Sequence, residues 1–352
     1  MASKSKHHHF LPQFLLRGFA HSDTGRTPQT YLFRRGLEQG KLTSVRNIGG
    51  ERYFHGNPAK SDLEARTADA DGRYSALVTR LRIYDIAAGD LQLASEFMAS
   101  QIVRTKSLRD SFAEGTANLT SAIARAFADP RNEASVREFV KQAFPTALTQ
   151  PDLLKALGAI PEPLRSRCKA ALPDLIEQAL ATPDLMKEIS ETIDAALKAA
   201  DTMQIAARAQ QESLSKHFAP PIRVATLKQF HWKVLRFERG TLILGDVGVL
   251  GLSNEGDIIH PVTMLADQPL AFLLPIGDAS LLLAMRFLDL RQIDPEVLNV
   301  RSAELSRDFF VTSRCTVREQ AYAQHLGAQA SLISHTEIES VVRKLFREHK
   351  IS

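Results

Sequence analysis

Three consecutive histidines, His7, His8 and His9, run without a linker into Phe10-Leu11-Pro12-Gln13-Phe14-Leu15-Leu16-Arg17-Gly18-Phe19. Neutral imidazoles are ligands for zinc, manganese or iron. Protonated imidazoles and the free N–H groups of a helix start receive anions. Pro12 suits the first turn of a helix, where its missing N–H costs nothing. Phe14, Leu15 and Phe19 then form an apolar face, and Gly18 falls near the helix end. A histidine pair therefore stands just ahead of a helix N-terminus. The same residues also suit a solvated basic tail before a core helix. Neighbouring side chains of an extended segment point to opposite sides, so at most one of His8 and His9 faces a given ion.

Glu64, Arg104 and Asp246, with Gln13 and Arg17, complete a dispersed polar set. The histidine pair with Glu64 or Asp246 could build a three-ligand metal site with a position left for water. Bound to such a metal, water becomes hydroxide near neutral pH. In this reading His8, His9, Glu64 and Asp246 are the catalytic group, with His8 and His9 holding a divalent metal such as zinc or manganese. Gln13, Arg17 and Arg104 hold the substrate, the arginines clamping a phosphate by paired hydrogen bonds. Each residue also has a plainer role. Glu64 closes a capping box with Ser61. Arg104 pairs with a carboxylate on a helix face. Asp246, after Gly245, ends a strand in a turn. The chain has no P-loop, no Gly-x-Gly-x-x-Gly, no Gly-x-Ser-x-Gly and no His-Glu-x-x-His, so the common nucleotide-binding and hydrolase templates are unsupported.

Charge is unevenly placed. The net charge of the 352 residues is +4, but residues 1–60 hold ten Lys/Arg against three Asp/Glu and five of the histidines. The remainder is slightly acidic, with 34 basic and 37 acidic residues. Such a basic segment suits a phosphate-bearing partner, nucleic acid or a small molecule, and equally suits solubility charge on loops. Hydrophobic residues are 44% and charged residues 24% of the chain, as in a globular protein with a core. No apolar run is long enough to span a bilayer. The basic start, Met1 to Lys6, leads into histidines rather than a signal-peptide core, so the expected place is the cytoplasm, with no membrane partner. Cys168 and Cys315 are the only cysteines, too few for a cysteine-based zinc site or a disulfide scaffold.

Three stretches must position these residues. Residues 1–127 read as the first part of the main fold. Thr30 to Phe33 favours a strand, Gly49-Gly50 and Asn57-Pro58 mark turns, and residues 61–84 and Leu91 to Phe112 each read as one helix. Residues 128–218 read as a helical insertion. Pro130, Pro145, Pro151, Pro161, Pro163 and Pro173 break its first part, and Leu185, Ile189, Ile193 and Leu197 stripe a longer helix behind Thr182-Pro183. Residues 219–352 read as β-rich, ending in a helix. Trp232 to Phe237 and Thr241 to Leu244 suggest a hairpin, Pro269 to Leu274 and Ala279 to Phe287 two more strands, and Thr336 to Arg347 an amphipathic helix. The expected class is α+β, a mixed or antiparallel sheet packed with helices, plus a largely helical central region.

His8-His9-Phe10-x-Pro12-Gln13-Phe14-x-Leu16-Arg17-x-Phe19 resembles the opening motif of domain-of-unknown-function family 4238, His-His-aromatic-x-Pro-Gln-Phe. The likeness extends through Tyr31-Leu32-Phe33, Ser44-Val45-Arg46-Asn47-Ile48, Tyr53-Phe54, Glu64, Gln101 and Arg104-Thr105. Leu244 to Val249 resembles a Ser-Asp-Asn-Pro-Val turn but lacks its Asn and Pro. The family name implies no activity. Two functions stay open: a metal-assisted phosphodiester hydrolase, nuclease-like, acting on nucleic acid or a nucleotide; or a non-catalytic module binding nucleic acid, a nucleotide or a protein, as in bacterial defence.

Overall fold

The computed structural model describes residues 7–21, 27–37, 39–55, 62–147, 182–263, 269–287, 293–332 and 334–348, with isolated positions between 161 and 178. The turn at Asn57-Pro58, the cap residue Ser61, Cys168 and the prolines Pro151, Pro163 and Pro173 lie outside the described residues.

The fold is α+β. In chain order its first elements are β1 (His7–His9), α1 (Gln13–Leu16), β2 (Gln29–Arg34), β3 (Lys41–Ser44), β4 (Gly50–Arg52), α2 (Leu63–Leu81), α3 (Leu91–Val103) and α4 (Lys106–Ala128). Then come α5 (Glu133–Ala147), α6 (Pro183–Ala199), α7 (Thr202–Lys216), α8 (Pro221–Leu227), β5 (His231–Arg236), β6 (Leu244–Gly245), β7 (Leu250–Ser253) and β8 (Ile258–Ile259). The last are β9 (Pro269–Gly277), β10 (Ser280–Met285), α9 (Pro295–Leu305), β11 (Phe309–Thr312), α10 (Val317–Gln324) and α11 (His335–Glu348). Every strand pairing is antiparallel. The sheets are β1-β4, β3-β2-β11-β6 and β5-β10-β9-β7-β8.

The chain forms two compact units, residues 1–113 with 203–332, and residues 114–202 with 333–352. In the second unit, Phe127 and Val136 gather Ile123, Val140, Ile189 and Ile193, while Ala122 meets Ile338 and Val342. Ile189 and Ile193 are the described part of the stripe read on α6. In the first unit, Phe14, Leu15 and Phe19 pack into one core with Tyr74, Leu77 and Leu81 of α2, Phe97 and Ile102 of α3, and Leu273, Leu274 and Leu282 of the five-stranded sheet.

Two local expectations are corrected. Leu91 to Phe112 is not one helix: α3 stops at Val103, Arg104 closes it at φ −96 and ψ 1, and α4 begins at Lys106. Thr105 starts the new helix by accepting from the Leu108 N–H at 3.3 Å, and Gln210 holds the break by donating to the carbonyls of Val103 and Thr105. Nor do Trp232 to Phe237 and Thr241 to Leu244 form a hairpin. β5 pairs with β10 and β6 with β11. The N–H groups of Phe237 and Leu242 instead reach the carbonyls of Ala279 and Asp278 in the β9–β10 turn.

Gly245 and Gly72 predict opposite outcomes. A Cβ on Gly245 would lie 1.9 Å from the Ser306 hydroxyl and 2.9 Å from the Ser302 carbonyl. Gly245→Ala should therefore destabilise by about 1–3 kcal/mol or more. A Cβ on Gly72, inside α2, meets nothing within 4 Å, so Gly72→Ala should stabilise by about 0.5–1 kcal/mol through helix propensity. Urea midpoints of the two variants check the pair.

Candidate polar centre at the histidine strand

The register of β1 against β4 sets His8 opposite Glu51 and His9 opposite Gly50. As the strand pleat requires, the two histidines serve different partners. His8 is buried, 3% exposed. Its Nδ1 accepts the His55 backbone N–H at 2.9 Å, and its Nε2 lies 2.9 Å from Glu64 Oε2. That last contact is close enough for an ion pair, yet Glu64 Oε2 is outside hydrogen-bond alignment. His9 Nδ1 meets the Ile48 carbonyl at 3.2 Å, and its Nε2 meets the Gln13 amide nitrogen at 2.9 Å. A carbonyl only accepts and an amide nitrogen only donates, so the partners place the His9 proton on Nδ1.

α2 supplies two carboxylates to this strand. Glu64 sits in its first turn, and Asp71 follows seven residues later, two turns along and on the same side. Asp62 stands at the helix start without a side-chain cap bond, and Glu64 Oε2 lies against His8 Nε2; the capping box expected with Ser61 falls outside the described residues. Asp71 takes Arg104 by both oxygens, at 2.6 and 3.1 Å. Arg104 is fully buried, donates also to the His9 carbonyl at 3.0 Å, and lies 5.5 Å over the Phe218 ring. Arg109 of α4 is clamped in the same way by Glu51, at 2.9 and 2.7 Å, with its guanidinium 4.8 Å over Phe54. The arginine geometry is the planar two-pronged contact expected for an anion, but in both cases a carboxylate of this chain occupies it.

His55, which the sequence marks only as one of five N-terminal histidines, completes the centre. Its ring stacks on His8, with centroids 5.3 Å apart and planes 14° apart. It is 3% exposed, and neither ring nitrogen has a hydrogen-bond partner among the described residues. The turn that delivers it is strained: Tyr53 has φ 59, in the left-handed region that bulky residues avoid. Burial pushes the His55 imidazole down to about 3, and the charge on Arg104 adds to the effect. His260, behind β8, is driven to about 4 by burial and then by Arg223.

The other candidates go elsewhere. Asp246 is buried, and its carboxylate accepts the N–H groups of Arg307, Asp308 and Phe309 at 2.8, 2.7 and 3.3 Å. It fixes the turn between α9 and β11. Burial pushes its carboxyl up to about 7 against the pull of these donors. Arg17 is exposed and lies near Arg82, whose guanidinium donates to the Phe14 and Leu15 carbonyls that close α1. Thus His8, His9, Gln13, Glu64 and Arg104 come together, while Arg17 and Asp246 serve other corners. Among the described residues, no three or more His, Cys, Asp or Glu side chains are placed to hold a metal ion. No described helix is long and apolar enough to cross a membrane.

The titrations have opposite signs. The unfolded chain protonates His55 and His260 below about 6.5 while the native state resists. Their contribution is therefore lost as pH falls, by about 1.4 kcal/mol per unit for each histidine until its folded pKa is reached. Asp246 is the reverse: its contribution is present below about 4 and is lost as pH rises toward 7. Relative to His55→Phe, the wild type should lose stability between pH 6.5 and 4. Relative to Asp246→Asn, it should lose stability between pH 4 and 7. Urea unfolding across that range reads both slopes.

No curated protein and no solved structure matches the chain. A family model described as protein of unknown function (DUF4238) matches residues 7–304. That span takes in the histidine strand, both arginine clamps and Asp246, and stops short of the turn that Asp246 fixes. The chain belongs to this family of unknown function, DUF4238.

Proposed function

We propose that the chain is a nucleic-acid-binding module whose histidine strand organises the fold and whose exposed N-terminal cations meet the phosphates. Six of those cations carry the reading. Arg17, Arg34, Arg35, Lys41, Arg46 and Arg52 are all exposed, and none has a carboxylate partner among the described residues. The interior arginines Arg104 and Arg109 are instead neutralised by Asp71 and Glu51. Lys41 lies on β3, the edge strand of its sheet, and Arg34 and Arg35 close the neighbouring strand β2. A metal-assisted phosphodiester hydrolase is the second reading, and it draws on one contact, His8 to Glu64 at 2.9 Å.

Phosphate contacts release counterions, so affinity for duplex DNA falls with salt with a slope of about −0.9 per contact. Fluorescence anisotropy with a labelled duplex, titrated with salt, is the test. Arg34→Ala, Arg35→Ala and Lys41→Ala combined should weaken binding and reduce the slope by about 3. An unchanged slope in the folded triple variant, or no binding by wild type at low salt, overturns the reading.

A further inference from the structure

Tyr53 stands where its residue type is a liability. At φ 59 it is the only described residue other than glycine in the left-handed region, a conformation that strains a bulky residue and suits glycine. The turn itself is accounted for: it delivers Phe54 into the core and His55 onto His8. The choice of tyrosine in it is not. The residue is half-exposed. Among the described residues its ring joins neither apolar core of the first unit, and its hydroxyl has no hydrogen-bond partner.

The ring does meet the Arg52 guanidinium, 5.1 Å from its centroid. A surface cation–π contact of this kind is weaker than the backbone strain it would have to repay. Arg52 is exposed and has no carboxylate partner among the described residues. Arg46, also exposed, stands on the 3-10 turn Val45–Asn47 just ahead of β4. An aromatic face beside unneutralised guanidinium groups matches two parts of a nucleotide at once. The ring stacks on the base, and the cation takes the phosphate. In a duplex the base faces are stacked on one another and out of reach, whereas in a single strand they are open.

We propose that Tyr53 is a stacking platform for an unpaired base, with Arg52 on the adjoining phosphate, so that the chain prefers single-stranded nucleic acid. This rests on the nucleic-acid reading above and names the form of nucleic acid that it takes. The strained turn is then retained with tyrosine rather than glycine because the ring is needed by the ligand and not by the fold.

Fluorescence anisotropy of the full-length protein with labelled oligothymidine and oligouridine, each against an abasic strand of the same length, tests this. The phosphates are the same, so the comparison isolates the base. At least one base-bearing strand should bind about tenfold tighter than its abasic counterpart, and the tighter of the two identifies the sugar. Glycine suits φ 59, so Tyr53→Gly should be folded by circular dichroism. It should bring the affinity for that strand down to the abasic level and keep the salt slope, since no charge is lost. Tyr53→Phe keeps the ring face and should bind as wild type. Equal binding of base-bearing and abasic strands overturns the inference. So does a folded Tyr53→Gly variant that binds like wild type, or a loss in Tyr53→Phe as complete as in Tyr53→Gly. Failure of the wild type to bind any strand at low salt overturns the nucleic-acid reading beneath it.

Discussion

A chain lacking residues 1–19 is expected to lose cooperative unfolding. Phe10, Leu11, Phe14, Leu15, Leu16 and Phe19 are between 0% and 7% exposed. Each contributes roughly 1.5–3 kcal/mol by burial, so together they rival the about 5–15 kcal/mol by which a whole domain is stable. The truncation also removes β1 from β4 and takes the His9 carbonyl from Arg104. Differential scanning calorimetry should show no sharp transition for the first unit. A truncated protein that melts at the wild-type temperature would contradict the packing described for this segment.

Arg104→Met should be the most damaging single substitution in the polar centre. It strips Asp71 of its partner and the His9 carbonyl of a donor. Breaking a buried pair costs about 3–5 kcal/mol. Asp71 is 23% exposed and can rehydrate, which places this case near the lower end. The double variant Arg104→Met, Asp71→Leu should recover much of the loss, because no charge is then left unpaired. Urea unfolding of both variants and of Asp71→Leu closes the cycle. A double variant as unstable as the sum of the singles would show that the pair acts through something other than mutual neutralisation.

Local chemistry made part of this legible in sequence. The apolar face of Phe14, Leu15 and Phe19 foretold a packed N-terminal helix, although α1 covers only Gln13–Leu16 before tightening into a single 3-10 turn. The divergence of His8 and His9 followed from strand geometry alone. The strands β9 and β10 followed from the apolar runs Pro269 to Leu274 and Ala279 to Phe287, and the structure pairs them antiparallel. What stayed hidden depends on distant partners. Nothing near Arg104 in sequence points to Asp71, 33 residues away, or near Arg109 to Glu51, 58 residues away. The one readable hint was the seven-residue spacing of Glu64 and Asp71 on one side of α2. The unit boundary within α4, at residue 113, is marked only by Gly115, through which the helix runs unbroken.

Incubation of labelled nucleic acid with the protein, in chelator and then with zinc or manganese added, separates the two readings in one gel. Both ring nitrogens of His8 and His9 are engaged within the chain, and the Asp246 oxygens are spent on backbone N–H groups. A binding module therefore forms a salt-sensitive complex in chelator and leaves the nucleic acid intact after metal is supplied. Cleavage that appears with the metal, disappears with chelator and is lost in His8→Ala would contradict the binding-module reading.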